Sequence, residues 1–326
     1  MKAAARALPR QQRGVALLTA IVLFAVATIL AAAITYNKAM AARRAAATFT
    51  LDQALQAGMA AEALAALALE DGHRRNKTET LVSQPWAQAF GPVEIEETGI
   101  FVQGQVEDLQ GRFNLNNLVI WDQQANAYVA DPKQLVVFQQ LLEALDLETK
   151  WADLMVDWID QDIAPYGPNG GEDTLYLSQT PSYRPPNTFI TSTGDLLALP
   201  GFGQERYAKL APYITAIPNG TTVNVCTGRG AVLDAVRADG QDEFQRNDPA
   251  GQRKSGCFPS TSAYLNGIAD PNLRSDVQSR IGTTSDIFRL TTVVRIGTAE
   301  FVLYSLLHRD NGNGQVRTLQ RTFGSE

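Results

Sequence analysis

No charge interrupts the run from Val15 to Tyr36, and no proline occurs between Val15 and Glu70. A stretch so free of charges and breakers cannot be a solvated loop. The chain has only two cysteines and two histidines. His73 and His308 lie far in sequence from Cys226 and Cys257, which argues against a Cys/His metal site. Basic residues are in deficit, 28 Lys and Arg against 34 Asp and Glu, for a net charge of −6. Four of those bases precede Val15, so the remainder carries −10. Phosphate binding needs a basic excess, so nucleic acid is not an expected partner. No Ser-His-Asp set or phosphate loop is present, and Gly228-Arg229-Gly230 lacks the rest of a nucleotide fingerprint. Disorder is excluded too, because 45% of residues are hydrophobic and 19% charged. A length of 326 residues allows an ordinary core and more than one folding unit.

The basic leader, Lys2, Arg6, Arg10 and Arg13, ends at Gly14. The apolar run that follows is long enough to span a bilayer, and the leader's charge places residues 1–14 on the cytoplasmic side. A secretory signal peptide is cut after its apolar run. Here the small-residue break at Gly14 comes before it, so the apolar helix would stay on the mature chain. Ala31-Ala32-Ala33 offers the alternative of a cleaved signal peptide, and an uncut signal anchor is a second. Yet the helical pattern passes through these alanines to about Glu70, where Gly72 offers a stop. Beyond Lys38 and Arg43-Arg44 it becomes amphipathic. Leu51, Ala54, Leu55, Gly58 and Met59 share one face, with Asp52, Gln53, Gln56 and Glu62 elsewhere. About 55 helical residues would extend roughly 80 Å, the first half in lipid or a bundle and the second on a globular domain.

Gly14 followed by Val15-Ala16-Leu17-Leu18 resembles a prepilin-peptidase site. Such proteins usually have Phe first and Glu fifth in the mature chain, where this chain has Val15 and Thr19. Lack of the fifth-position glutamate resembles the K-type minor pseudopilins of bacterial type II secretion systems. The segment Asp108-Leu109-Gln110-Gly111-Arg112-Phe113-Asn114-Leu115-Asn116-Asn117-Leu118 is also similar to that family. The resemblance implies prepilin-peptidase cleavage between Gly14 and Val15, with methylation of the new terminus. It implies a single inner-membrane pass and a periplasmic body. The partners would be I-type and J-type minor pseudopilins and other secretion-system subunits, in a non-enzymatic filament-tip role. Thr19 suits a terminal position. It cannot supply the carboxylate that pairs with a neighbour's amino terminus, and an unpaired charge in that apolar core is costly. Two other readings are a minor pilin of a type IV pilus and a membrane-anchored DNA-uptake component.

In the body, residues 93–108 read as strands, and so do Ile287–Ile296, Glu300–His308 and Gln315–Phe323, with Gly-rich turns between. Between these sets the pattern is helical. Leu135, Phe138, Leu141, Leu142 and Leu145 form one apolar stripe, and Trp151, Leu154, Met155, Trp158 and Ile159 another. The predicted fold is α+β: a pilin-like long N-terminal helix packed on an antiparallel sheet, with a large all-α insertion domain. The boundaries are a leader at 1–14, the helix at 15–72, pilin-like segments at 73–114 and 286–326, and the insertion at 115–285.

The densest carboxylate cluster is Asp157-Trp158-Ile159-Asp160-Gln161-Asp162, followed by a Pro/Gly loop and Glu172-Asp173. Asp153, Asp157 and Asp160 share a helical face. The loop's Pro165, Gly167, Pro168, Gly170 and Gly171 can return Glu172 and Asp173 to Asp160 and Asp162. Crowded carboxylates repel unless a cation is present, and hard oxygen ligands suit Ca²⁺. The spacing is not an EF-hand, because the twelfth position from Asp160 is Gly171. The K-type pattern, an aspartate-rich helix end followed by Gly-Ala-Glu-Asp, resembles this region and implies a Ca²⁺ site at Asp160, Asp162, Glu172 and Asp173. A solvated acidic helix end is the alternative. A glycosidase pair of Asp160 and Glu172 lacks a sugar-stacking groove nearby.

Leu199-Pro200-Gly201-Phe202-Gly203 before Arg206 and Lys209 resembles a helix-hairpin-helix turn, as does Val223-Asn224-Val225-Cys226-Thr227. With so few bases nearby, both read as packing turns. In an oxidising compartment Cys226 and Cys257 read as one disulfide, with two buried thiols as the alternative. K-type proteins usually have Asn where Cys226 stands, so the cystine would be a local addition.

Overall fold

The structure is a computed structural model that describes residues 12–237, 249–253 and 256–324. Residues 1–11 of the predicted leader lie outside the described residues. The first element, α1 (Gln12–Arg75), is a single helix of 64 residues. It contains both Gly14 and Val15 and runs three residues past the expected stop at Gly72. Its N-terminal part, from Val15, is long and apolar enough to cross a membrane. The side chains from Val15 to Ile34 are exposed. Thr19 Oγ1 donates to the Ala16 carbonyl at 3.0 Å, and Thr28 and Thr35 donate to Phe24 and Ala31 at 2.8 Å. These hydroxyls satisfy themselves on their own helix. The chain divides after Gln56 into two compact units.

The second unit is built on a five-stranded antiparallel sheet. In chain order its elements begin with β1 (Phe90–Glu94), β2 (Ile100–Asp108), β3 (Phe113–Asn114), β4 (Val119–Asp122) and β5 (Ala127–Ala130). Helices α2 (Pro132–Ala144), α3 (Lys150–Ile159), α4 (Asp173–Leu177) and α5 (Gly203–Leu210) follow, then β6 (Ile214–Thr215) and β7 (Val223–Asn224). Next are α6 (Gly230–Arg237), α7 (Thr261–Tyr264), α8 (Pro271–Arg280) and β8 (Ile281–Gly282). The chain closes with β9 (Ile287–Ile296), β10 (Ala299–Arg309) and β11 (Val316–Phe323). The sheet order is β1-β2-β9-β10-β11. Strands from both ends of the unit therefore meet, β2 against β9, and everything between them is inserted.

The period-two pattern of β2 and β9 gives the sheet one buried face. Val106, Phe288, Leu290 and Leu307 meet Ala65 and Leu69 of α1 and Trp86. Full burial of a side chain such as Leu69 contributes roughly 1.5–3 kcal/mol. The buried stripe of α1 matches the expected one at Ala54 and Gly58 and departs from it elsewhere. In this unit it is Ala57, Ala61, Ala65 and Leu69, whereas Leu51 and Met59 are exposed. Close approach is the reason. A Cβ on Gly58 would sit 2.7 Å from Leu303 Cδ2, so at this point of the helix a larger residue would have to displace Leu303. Glu62, expected to point elsewhere, turns inward. It accepts from Arg321 Nε and Nη2 at 2.9 and 2.7 Å and from Thr318 Oγ1 at 2.5 Å.

The inserted block has its own core, and both predicted stripes enter it: Leu135, Phe138, Leu141 and Leu142 from α2, and Trp151, Leu154, Met155, Trp158 and Ile159 from α3. It is mainly helical, but three small strand pairs add to the expected helices: β3 with β6, β4 with β5, and β7 with β8. The asparagines after Gly111 do more than hold a local turn. Asn116 Nδ2 donates to the Ile190 and Ile217 carbonyls, both at 2.9 Å. Asn114 Nδ2 donates to Pro218 O at 2.9 Å, and Asn117 Nδ2 to Thr221 O at 2.8 Å. Asp108 ties sheet to block. Its Oδ2 accepts from Ser285 Oγ at 2.6 Å, Thr227 Oγ1 at 2.5 Å and Asn224 Nδ2 at 3.1 Å. Cys226 and Cys257 form the expected disulfide.

Candidate metal centre

The acidic cluster is assembled by the end of α3 and the loop behind it. Asp157 occupies the last turn and Asp160 is the C-cap residue. Gln161 is held to β5, its N–H donating to the Tyr128 carbonyl at 3.1 Å while its Oε1 accepts from Tyr128 N–H at 3.1 Å. The loop then folds back over α3. Asp157 Oδ1 accepts from the Tyr166 amide at 2.8 Å and Oδ2 from the Gly171 amide at 2.6 Å. Gly170 permits this wrap, because a Cβ there would lie 2.5 Å from Asp157 Oδ2 and 2.4 Å from Tyr166 O. The return delivers Glu172 as the residue preceding α4.

Asp157, Asp160 and Glu172 each place one carboxylate oxygen within 4.8 Å of the others'. All three side chains are buried, at 0%, 2% and 6% exposure. Asp160 Oδ1 and Glu172 Oε1 have no hydrogen-bond partner, and neither has Asn187 Oδ1. Burial first, and neighbouring carboxylates second, push Asp157 up to about 6 and Asp160 up to about 8. The same two causes push Glu172 up to about 7, with Asn187 opposing them. Three buried carboxylates cannot all stay charged near neutral pH without a counter-ion, and two buried oxygens lacking donors cost free energy. An oxygen-only set with unsatisfied acceptors is the chemistry that holds a hard divalent cation. The residues that could hold one are Asp157, Asp160 and Glu172, with Asn187 alongside.

Of the four residues expected from sequence, Asp160 and Glu172 are brought together. Asp162 is exposed, and its Oδ1 accepts from the Ala164 amide at 2.8 Å. Asp173 is half-buried and pairs with Arg184 at 3.2 Å. Neither joins the buried carboxylate group. The missing third carboxylate is Asp157, whose signal was its i, i−3 relation to Asp160 on one helix face. Asn187 lies in a later loop, where its Nδ2 donates to the Asp162 carbonyl at 2.9 Å, and no local pattern marks it. The turn at Leu199–Gly203 is committed to packing. Arg206 makes a bidentate pair with Glu148, both contacts 2.9 Å, and lies over the Trp151 ring.

A long N-terminal helix whose C-terminal part packs on an antiparallel sheet, with a helical block inserted between strands, defines a pilin-like protein. A crystal structure of the GspK-GspI-GspJ complex from enterotoxigenic Escherichia coli contains the same fold. The match has a TM-score of 0.74 and 21% identity, and covers 87% of this chain and 100% of that one. Residues 111–219 match the family described as type II secretion system (T2SS), protein K. The chain is 30% identical to type II secretion system protein K of Aeromonas hydrophila, over 97% of this chain and 99% of that protein. It is 28% identical to the protein of that name from Pseudomonas aeruginosa, over 97% and 94%. The chain belongs to the type II secretion system protein K family and is a minor pseudopilin.

Proposed function

We propose that this minor pseudopilin is a non-enzymatic subunit at the tip of the type II secretion pseudopilus, where it initiates or caps assembly with I-type and J-type partners. The observation that carries this reading is the uncharged, outward-facing segment from Val15 to Tyr36 with a threonine at position 19. Such a helix can join a bundle, but it offers no carboxylate to a following subunit's amino terminus. The protein sharing its fold is itself found in a complex with GspI and GspJ. Prepilin peptidase cuts after Gly14, Val15 becomes the methylated terminus, and residues 15–36 anchor the chain in the inner membrane with its body in the periplasm. The acidic cluster holds a structural Ca²⁺. The orphaned oxygens of Asp160 and Glu172 support that role.

The test is the mass of the mature chain from native membranes, together with co-purification of I-type and J-type pseudopilins. A start at methylated Val15 and recovery of both partners are expected. An uncut Met1, a start near Ile34, or recovery with neither partner would overturn the reading.

A further inference from the structure

Just past its apolar run, α1 carries three bases, Lys38, Arg43 and Arg44, and all three are exposed. No Asp or Glu occurs from Val15 to Leu51, so none of the three has a carboxylate three or four residues away on the helix. The first acid is Asp52, about 12 Å further along the axis than Arg44. Arg43 lies about 140° round the helix from Lys38, and Arg44 about 100° further on. The bases therefore stand almost evenly round the axis, as a belt and not as one charged face.

Their height is as informative as their spacing. The run from Val15 to Tyr36 rises about 32 Å, which matches a hydrocarbon core of roughly 30 Å. Tyr36 is 66% exposed and ends the run with the apolar body and polar tip suited to a membrane boundary. Lys38 follows about 3 Å beyond Tyr36, and Arg43 and Arg44 about 10–12 Å beyond it. Long basic side chains reach back along a helix to the headgroup level. The leader's bases hold residues 1–14 on the cytoplasmic side, and bases just past the far end of the span work against that orientation. Helix propensity does not account for them either, because Gln forms helices about as well as Lys or Arg.

Given the proposed anchoring by residues 15–36, we infer that Lys38, Arg43 and Arg44 form a binding belt for anionic phospholipid headgroups, which sets the depth of the unassembled subunit in the membrane. A neighbouring helix would meet charges on a single face. Lipid surrounds a lone span on every side, as the belt does. Phosphate oxygens accept charge-assisted hydrogen bonds from guanidinium and ammonium groups. A zwitterionic headgroup brings its own cation, so the belt favours headgroups with net negative charge.

The test is native mass spectrometry of the full chain in detergent, with phosphatidylglycerol and phosphatidylcholine of matched acyl chains. Preferential retention of phosphatidylglycerol is expected. Each of Lys38→Gln, Arg43→Gln and Arg44→Gln should lower that preference about fivefold, and Arg43→Lys should keep it. The leader's bases are common to every variant, so the differences report the belt. The replaced side chains are exposed, and the melting temperature should not move. Equal retention of both lipids by the parent, or an unchanged preference in the triple Gln variant, overturns the proposal. Displacement of phosphatidylglycerol by inorganic phosphate at comparable concentration also overturns it, in favour of a free-anion site. Loss of the I-type and J-type partners from the triple variant, with its lipid preference intact, overturns it in favour of a subunit contact. Flotation with phosphatidylcholine vesicles tests the anchor separately. A chain that floats without headgroup preference loses only the belt, whereas one that fails to float loses the anchor and the belt together.

Discussion

Replacing Glu172 with Gln separates a metal site from an idle acidic cluster, because the two predict opposite signs. The perturbation keeps the shape and removes one charge from three carboxylates within 4.8 Å. Without a cation, the folded chain holds extra protons, since Asp157, Glu172 and Asp160 are raised to about 6, 7 and 8. The unfolded chain releases its protons near pH 4. The folded state therefore binds more protons between these limits, and stability falls as pH rises from about 4 through about 8. Each excess proton tilts the curve by about 1.4 kcal/mol per pH unit. In a chelator, Glu172→Gln removes one of these protons. It should flatten the decline and raise stability near pH 7.5 by on the order of 1–3 kcal/mol. In calcium the order reverses. A hundredfold excess over the dissociation constant stabilises the parent by about 2.7 kcal/mol, roughly 5–10 °C in melting temperature for a domain of this size. The variant should lose most of that gain. The assay is thermal unfolding of the full chain in detergent at pH 5.5 to 8.5, with chelator or with calcium. A flat pH profile in chelator, or a calcium response equal in parent and variant, would refute the reasoning. Magnesium should substitute poorly, because it demands tighter octahedral geometry.

Three structural predictions follow from single contacts. Glu62→Ala leaves Arg321 and Thr318 without their acceptor and should cost about 1–3 kcal/mol; denaturant unfolding measures it, and Glu62→Gln should recover part of the loss. Asn116→Ala strips donors from the buried carbonyls of Ile190 and Ile217 and should cost roughly 2–3 kcal/mol, with loosened hydrogen exchange around both segments as a local signature. Reduction of Cys226–Cys257, a separation of 31 residues, should lower stability by about 3–4 kcal/mol; thiol labelling of denatured, unreduced protein should find no free cysteine.

Much of this architecture was legible in the chain because it rests on local periodicity. The uncharged run after Gly14, the proline-free stretch to Glu70 and the three C-terminal strands each fix their element from neighbours in sequence. The stripes on α2 and α3 announced a core for the same reason. What the tertiary structure alone decided were relations between distant segments. Which face of α1 turns inward was one of these: alanines went in, with Gly58 close against Leu303, while Leu51 and Met59 stayed out. The metal centre was half visible. Asp160 and Glu172 were marked by charge density, but charge density also marked Asp162 and Asp173, which stay outside the buried group. Asp157 was selected by the wrap of Tyr166 and Gly171 over α3, and Asn187 by a fold that returns many residues later. The pairing of Glu107 with Arg112, Arg229 and Arg289 joins two strands and the inserted block. Periodicity reports which side of an element is apolar. Only the packed chain determines which charges share a site, because that depends on distances between segments far apart in sequence.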